Sequence, residues 1–192
     1  RFDFPAGGFC NDIALDDISG DVYATDTTLG AIRRVRWEGD QLEEWLVDEA
    51  FMPEPGAFGP NGIVLSGGDL YMVRFDTAEL FRITMNAELA AEAVHNISWD
   101  NPPKAPDGLT ALEDGRIAVV DNFGGRVLAA RIEGDVAITS VLRDALDTPA
   151  TAALHDGHLW VTESQVDHLL GFDPAPASEP FFVREVLLDC AQ

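Results

Sequence analysis

The chain has 192 residues, 46% of them hydrophobic, a globular composition with length enough for one domain with a real core. Acidic residues outnumber basic ones 34 to 12, for a net charge of −22, and Lys104 is the sole lysine. Such a surface repels nucleic acid, anionic membranes and acidic proteins, which excludes them as partners and leaves a cationic partner open. No apolar run approaches the ~18 residues that span a bilayer, and no signal peptide is visible. A soluble chain is expected, with the cytoplasm ahead of other compartments.

Arg1 to Phe4 reads as the end of a strand, and the chain does not begin with Met, so further chain upstream is expected. Short strands are then predicted over residues 13–15, 22–25, 31–37 and 41–47, with turns at 16–20 and 38–40 rich in Asp, Ser and Gly. The same grammar recurs over 63–65, 70–73, 80–84 and 90–95, where 88–93 is assigned to an outer strand although it also reads as a helical turn. It recurs over 109–112, 117–120, 127–132 and 136–142, and again over 152–154, 159–162, 168–172 and 181–187, with a Pro-rich insert at 174–178. Pro- and Gly-rich connections at 52–60, 101–106 and 147–149 separate the repeats. Trp37, Trp45, Trp99 and Trp160 read as packing within or between the sheets. Cys10, before an apolar strand, reads as a small buried residue, and Cys190 as inert; the pair has neither metal spacing nor the density of a disulfide scaffold.

The four repeats start at Cys10-Asn11-Asp12-Ile13, Pro60-Asn61-Gly62-Ile63, Pro106-Asp107-Gly108-Leu109 and Pro149-Ala150-Thr151-Ala152, spaced 50, 46 and 43 residues apart. A period in the forties with several short strands per repeat predicts the blades of an all-β propeller, here about 8–48, 58–98, 105–144 and 148–188 in one domain. The first strand of each blade runs along the central channel, so Asn11, Asn61 and Asp107 should meet at one mouth. Singly, each is an ordinary turn residue. Together, a carboxylate and two amide oxygens suit a hard cation such as Ca²⁺ or Mg²⁺, with Mn²⁺ or Zn²⁺ also open. The fourth repeat places Ala150 there and offers no ligand. A second equivalent position, at the end of each second strand, carries Asp26, Arg74, Asp121 and Glu163. Arg74 and Asp121 are candidate substrate contacts, with ion-paired strand ends as the alternative. The four histidines lack metal spacing, and no Gly-x-Ser-x-Gly nucleophile elbow occurs.

Cys10-Asn11-Asp12, Gly59-Pro60-Asn61-Gly62-Ile63, Pro106-Asp107-Gly108-Leu109 and Asp121-Asn122-Phe123-Gly124-Gly125-Arg126-Val127 together resemble the senescence-marker-protein-30/gluconolactonase family of six-bladed propellers. The resemblance implies one divalent cation, Ca²⁺ foremost, held by a Glu, an Asn and an Asp. The Asn falls on Asn61 and the Asp on Asp107; Asn11 matches a channel asparagine beside substrate or metal. The Glu belongs to a first blade that these residues do not include. It also implies hydrolysis of a lactone or related ester, with a lactone or sugar-acid-like ligand. Asp107 is the candidate to take a proton from the attacking water, though a cation-bound carboxylate is a poor base. Six blades need roughly 270 residues at ~45 per blade. About four blades of a larger ring are therefore expected, with open strand edges, poor stability and little activity alone; a genuine four-bladed or assembling half-propeller is the alternative. The alternatives are a non-catalytic ligand- or protein-binding propeller and a phosphotriester-cleaving one.

Overall fold

Runs such as Ile117-Ala-Val-Val-Asp121 are apolar on both faces, which demands a sheet covered from both sides. The computed structural model, which describes residues 1–188, meets that demand by stacking four antiparallel meanders side by side as the blades of a propeller. The first blade is β1 (Cys10–Leu15), β2 (Val22–Asp26), β3 (Ala31–Val35) and β4 (Glu43–Val47). The second is β5 (Pro60–Ser66), β6 (Asp69–Arg74), β7 (Leu80–Met85) and β8 (Ala91–Trp99). The third is β9 (Pro106–Ala111), β10 (Ile117–Asp121), β11 (Arg126–Glu133) and β12 (Val136–Arg143). The fourth holds β13 (Pro149–His155), β14 (His158–Glu163) and β15 (Phe182–Val186). The innermost strands β1, β5, β9 and β13 pack in succession around the channel.

Strand alternation distributes the core between blades. From β6, Leu70 and Met72 face the first blade, against Tyr23 and Ile32, while Tyr71 and Val73 face the third. From β10, Ile117 and Val119 turn back to the second blade, and Ala118 and Val120 forward to Leu159 and Val161 of the fourth. The end faces have no such cover: Ile13 and Leu15 of β1 are 62% and 56% exposed, and Phe182 and Val183 of β15 are exposed as well. Close approach of the inner strands depends on Gly62, where a Cβ would collide with the Asp107 carbonyl oxygen of β9. At their outer edges the second and third blades are joined by a parallel pairing of β8 with β12, Val136 opposite Ser98 and Ala137 opposite Trp99. The two form one eight-stranded sheet.

Four expectations need correction. Residues 168–172 form no strand. Gln165 adopts a left-handed φ of 49°, α1 (Val166–Leu169) follows, and the Asp167 carbonyl accepts from the Phe172 and Asp173 amides. Gln165 also ties back to Ser178 through its side chain, so the chain returns to β14 only at β15, which is the third strand of its blade rather than the fourth. Cys10 is exposed, at the start of a strand whose outer face no other described residues cover. Trp37 and Trp160 are exposed, whereas Trp45 stacks edge-on against Tyr23 and Trp99 donates to the Ala78 carbonyl. Residues 1–5 carry no strand; Gly8 instead closes a turn onto the Pro5 carbonyl. Cys190 lies outside the described residues. Among the described residues no helix is long and apolar enough to cross a membrane.

Candidate metal centre

Every innermost strand breaks its register at the same place. The ladder slips between Cys10 and Ile13, between Pro60 and Ile63, opposite Val119 to Asp121 for β9, and between Pro149 and Ala152. A bulge releases residues from the ladder and re-aims their side chains. Here the released residues are Asn11, Asn61, Asp107 and Ala150, and all four line one pocket of about 280 Å³. No Lys or Arg lines it.

Asp107 is partly buried there, and loss of solvent pushes its carboxyl up to about 7, with the nearby Asp12 charge adding to the rise. Hydrogen bonding from the Asn122 and Asn61 amides opposes the shift. Asn122 is fully buried; its Nδ2 donates to Asp107 Oδ2 at 3.1 Å and to the Pro149 carbonyl at 2.9 Å, which positions the carboxylate against the fourth blade. Asp12 accepts from the Ile63 amide at 3.1 Å and the Ile13 amide at 2.9 Å, stitching β1 to β5, and burial raises its pKa too. Thr25 Oγ1 donates to the Asn61 carbonyl at 2.8 Å and fixes the bulge from behind.

Two oxygens remain unmatched. Asn61 Oδ1 and Asn122 Oδ1 are buried without any hydrogen-bond partner. A desolvated carboxylate beside two orphaned amide oxygens, with no cationic side chain in the wall, is an excess of acceptors that a hard cation would satisfy. The residues present fit such an ion.

Arg74 and Asp121 lie outside the pocket. Arg74 forks onto Asp76 at 3.0 and 2.7 Å and donates to the Ala50 carbonyl at 2.8 Å. Asp121 is fully buried and accepts from the amides of Lys104, Ala105 and Gly124 at 2.8, 3.1 and 3.1 Å and from Arg126 Nε at 2.8 Å. Asp26 braces Arg33 and the Phe9 amide, and Glu163 braces Arg184 and the Asp147 amide. This second repeat position is thus a charge brace in each blade, reversed in sign in the second. Asp167, His168 and Asp173 also cluster beside α1, but His168 Nδ1 is engaged with the Ala175 carbonyl and Asp167 with Thr148 Oγ1. Sequence reasoning missed Asp12 and Asn122. Both stand inside the quoted motifs, each one residue past a repeat-equivalent polar position.

No protein-family model and no curated protein matches the chain. Among solved structures, virginiamycin B lyase from Staphylococcus aureus superposes with a TM-score of 0.62 at 17% identity, over 83% of this chain and 50% of that one. A luciferin-regenerating enzyme gives 0.63 at 16% identity, over 82% and 54%. A structure of a nidogen/laminin complex gives 0.57 at 22% identity, over 80% and 55%. The chain therefore spans about half the length of the structures it resembles, and the likeness, at such identities, establishes that it folds as part of a β-propeller.

Proposed function

We propose that this propeller serves as a metal-dependent hydrolase of the gluconolactonase type, opening lactones or related esters at a divalent cation in the channel mouth. One observation carries the reading: three repeat-equivalent residues, turned inward by bulges, bring a partly buried carboxylate and the unpartnered amide oxygen of Asn61 into a pocket without a cationic side chain, with the orphaned Asn122 oxygen on the residue that holds Asp107. Asp107 and Asn61 would hold the ion, Ca²⁺ foremost and Mg²⁺, Mn²⁺ or Zn²⁺ as alternatives, with Asn11 at the wall beside the substrate. The third ligand that the resemblance implies, a Glu, belongs to a blade outside these residues. A bound cation polarises the lactone carbonyl and lowers the pKa of a bound water. Asn122 orients Asp107 through Nδ2, and Asp12 fixes the strand pair on which Asn61 stands. As a ligand Asp107 loses basicity, so its main role in this reading is to hold the ion and only secondarily to accept a proton from the attacking water.

The direct test is turnover of a lactone panel by full-length protein that carries the Glu-bearing blade, before and after EDTA. Chelation is expected to abolish hydrolysis and added Ca²⁺ to restore it. Hydrolysis that persists in demonstrably metal-free protein sinks the reading, and metal-insensitive ligand binding without turnover favours the non-catalytic alternative.

A second expectation concerns pH. A carboxyl whose folded pKa lies above its unfolded value holds its proton more tightly in the folded chain. Stability is then present at acid pH and is lost as pH rises from 3.8 through about 7. For Asp107 the loss in cation-free protein should be on the order of 4 kcal/mol, with Asp12 adding in the same direction. Urea titrations at pH 5 and pH 8 measure it. A saturating divalent cation should remove the slope, and an identical slope with and without cation would count against Asp107 as a ligand.

A further inference from the structure

A row of five phenylalanines runs past the pocket, three of them in its wall. Phe9 meets Phe58 with ring centroids 6.4 Å apart, Phe58 meets Phe75 at 6.5 Å, Phe75 meets Phe123 at 5.5 Å, and Phe123 meets Phe172 at 5.4 Å. The row runs unbroken from the first blade to the fourth. Phe9, Phe58 and Phe75 line the pocket itself, and α1 with its following residue closes the other side with Val166, Leu169 and Leu170. Phe172 is 67% exposed and Leu169 84% exposed, so large apolar groups face water at this mouth. Three of the four inter-ring contacts are edge-to-face, an arrangement that presents further ring edges and faces to a bound flat group.

We infer that the pocket selects a neutral, apolar ring compound, an aryl-fused or alkyl-substituted lactone, over a polyhydroxylated sugar lactone. This deepens the hydrolase reading above and rests on it. A sugar lactone carries several hydroxyls, each of which needs a partner once water is excluded. The wall offers three polar side chains, Asn11, Asn61 and Asp107, and two of these are assigned to the cation. The rest is aromatic or aliphatic, including Ala150 at the fourth ring position. Charge points the same way: an anionic sugar acid would enter a protein of net charge −22 through a mouth without Lys or Arg. A volume of about 280 Å³ holds a bicyclic ligand.

Binding and turnover are read separately, on Ca²⁺-loaded protein. Calorimetry compares the lactam counterparts of dihydrocoumarin and of glucono-δ-lactone, which resist opening; hydrolysis compares the two lactones themselves. The aryl lactam is expected to bind at least about tenfold more tightly, and Phe75→Ala to weaken it about tenfold through loss of an aromatic ring from the pocket wall, with gluconolactam unaffected. Phe75→Leu should retain part of the preference. Phe9→Ala gives the same readout at an exposed position should Phe75→Ala fail to fold. Preference for gluconolactam, no measurable binding of the aryl lactam, or an unchanged preference in both Ala variants overturns the inference. Aryl lactam binding without hydrolysis of either lactone overturns the hydrolase reading and supports the apolar specificity. Faster hydrolysis of glucono-δ-lactone does the reverse.

Discussion

Asp107→Asn is expected to lower divalent cation affinity and lactone hydrolysis by about a hundredfold or more, while raising the stability of the cation-free protein at pH 8. The two effects have one cause. Asp107 sits where water is scarce, and this desolvation, with the nearby Asp12 charge, raises its carboxyl to about 7 in a pocket wall that holds no Lys or Arg to offset it. Asparagine keeps the shape and can still accept from Asn122 Nδ2, yet it removes the charge that destabilises the empty pocket. Terbium luminescence or calorimetry gives the affinity, and urea melts give the stability. Loss of stability at pH 8 together with unchanged cation binding would falsify the assignment.

Asp121→Ala should be the most destabilising of the polar substitutions, at about 3–5 kcal/mol, or roughly 10 °C in Tm. Its carboxylate gathers three backbone amides and the Arg126 guanidinium at the junction of the loop before β9 and the turn after β10. Removing it strands three amides and leaves the guanidinium unpaired. The turn is built tightly around that carboxylate: a Cβ at Gly124 would collide with Asp121 Oδ2. Arg126→Ala should cost less, about 1 kcal/mol, because its side chain is partly solvated. Differential scanning calorimetry on both variants decides this, and a loss below about 1 kcal/mol for Asp121→Ala would contradict the brace.

The blades were legible because each strand is short, apolar and bounded by turn residues, and because the repeat places equivalent positions in register. The convergence of Asn11, Asn61 and Asp107 followed from the same alignment. What was not legible depends on contacts between distant segments. Leu169, Leu170 and Phe172 have the composition of a strand, and only the return of Gln165 to Ser178 makes α1 and a loop of them. Arg74 looked available for substrate, although Asp76 and Glu79 within five residues were a local hint of its ion pairs. Asn122 gains its place beside Asp107 from the register slip between β9 and β10, which hydrophobic pattern does not encode. The phenylalanine row was invisible for the same reason: its members stand at strand ends and in loops, and only the ring closes them up.

The β8–β12 pairing bears on ion size. Asn61 and Asp107 belong to the two blades that this pairing fuses, and the same blades are packed at the channel by Gly62 against β9. The two sheets are thus tied to each other at both the hub and the rim. Under the metal reading proposed above, a cation held between them would meet a gap set by both ties, so discrimination between a small ion and a large one would depend on backbone architecture some distance from the ligands. The first and fourth blades carry no such rim fastening to their neighbours among the described strands.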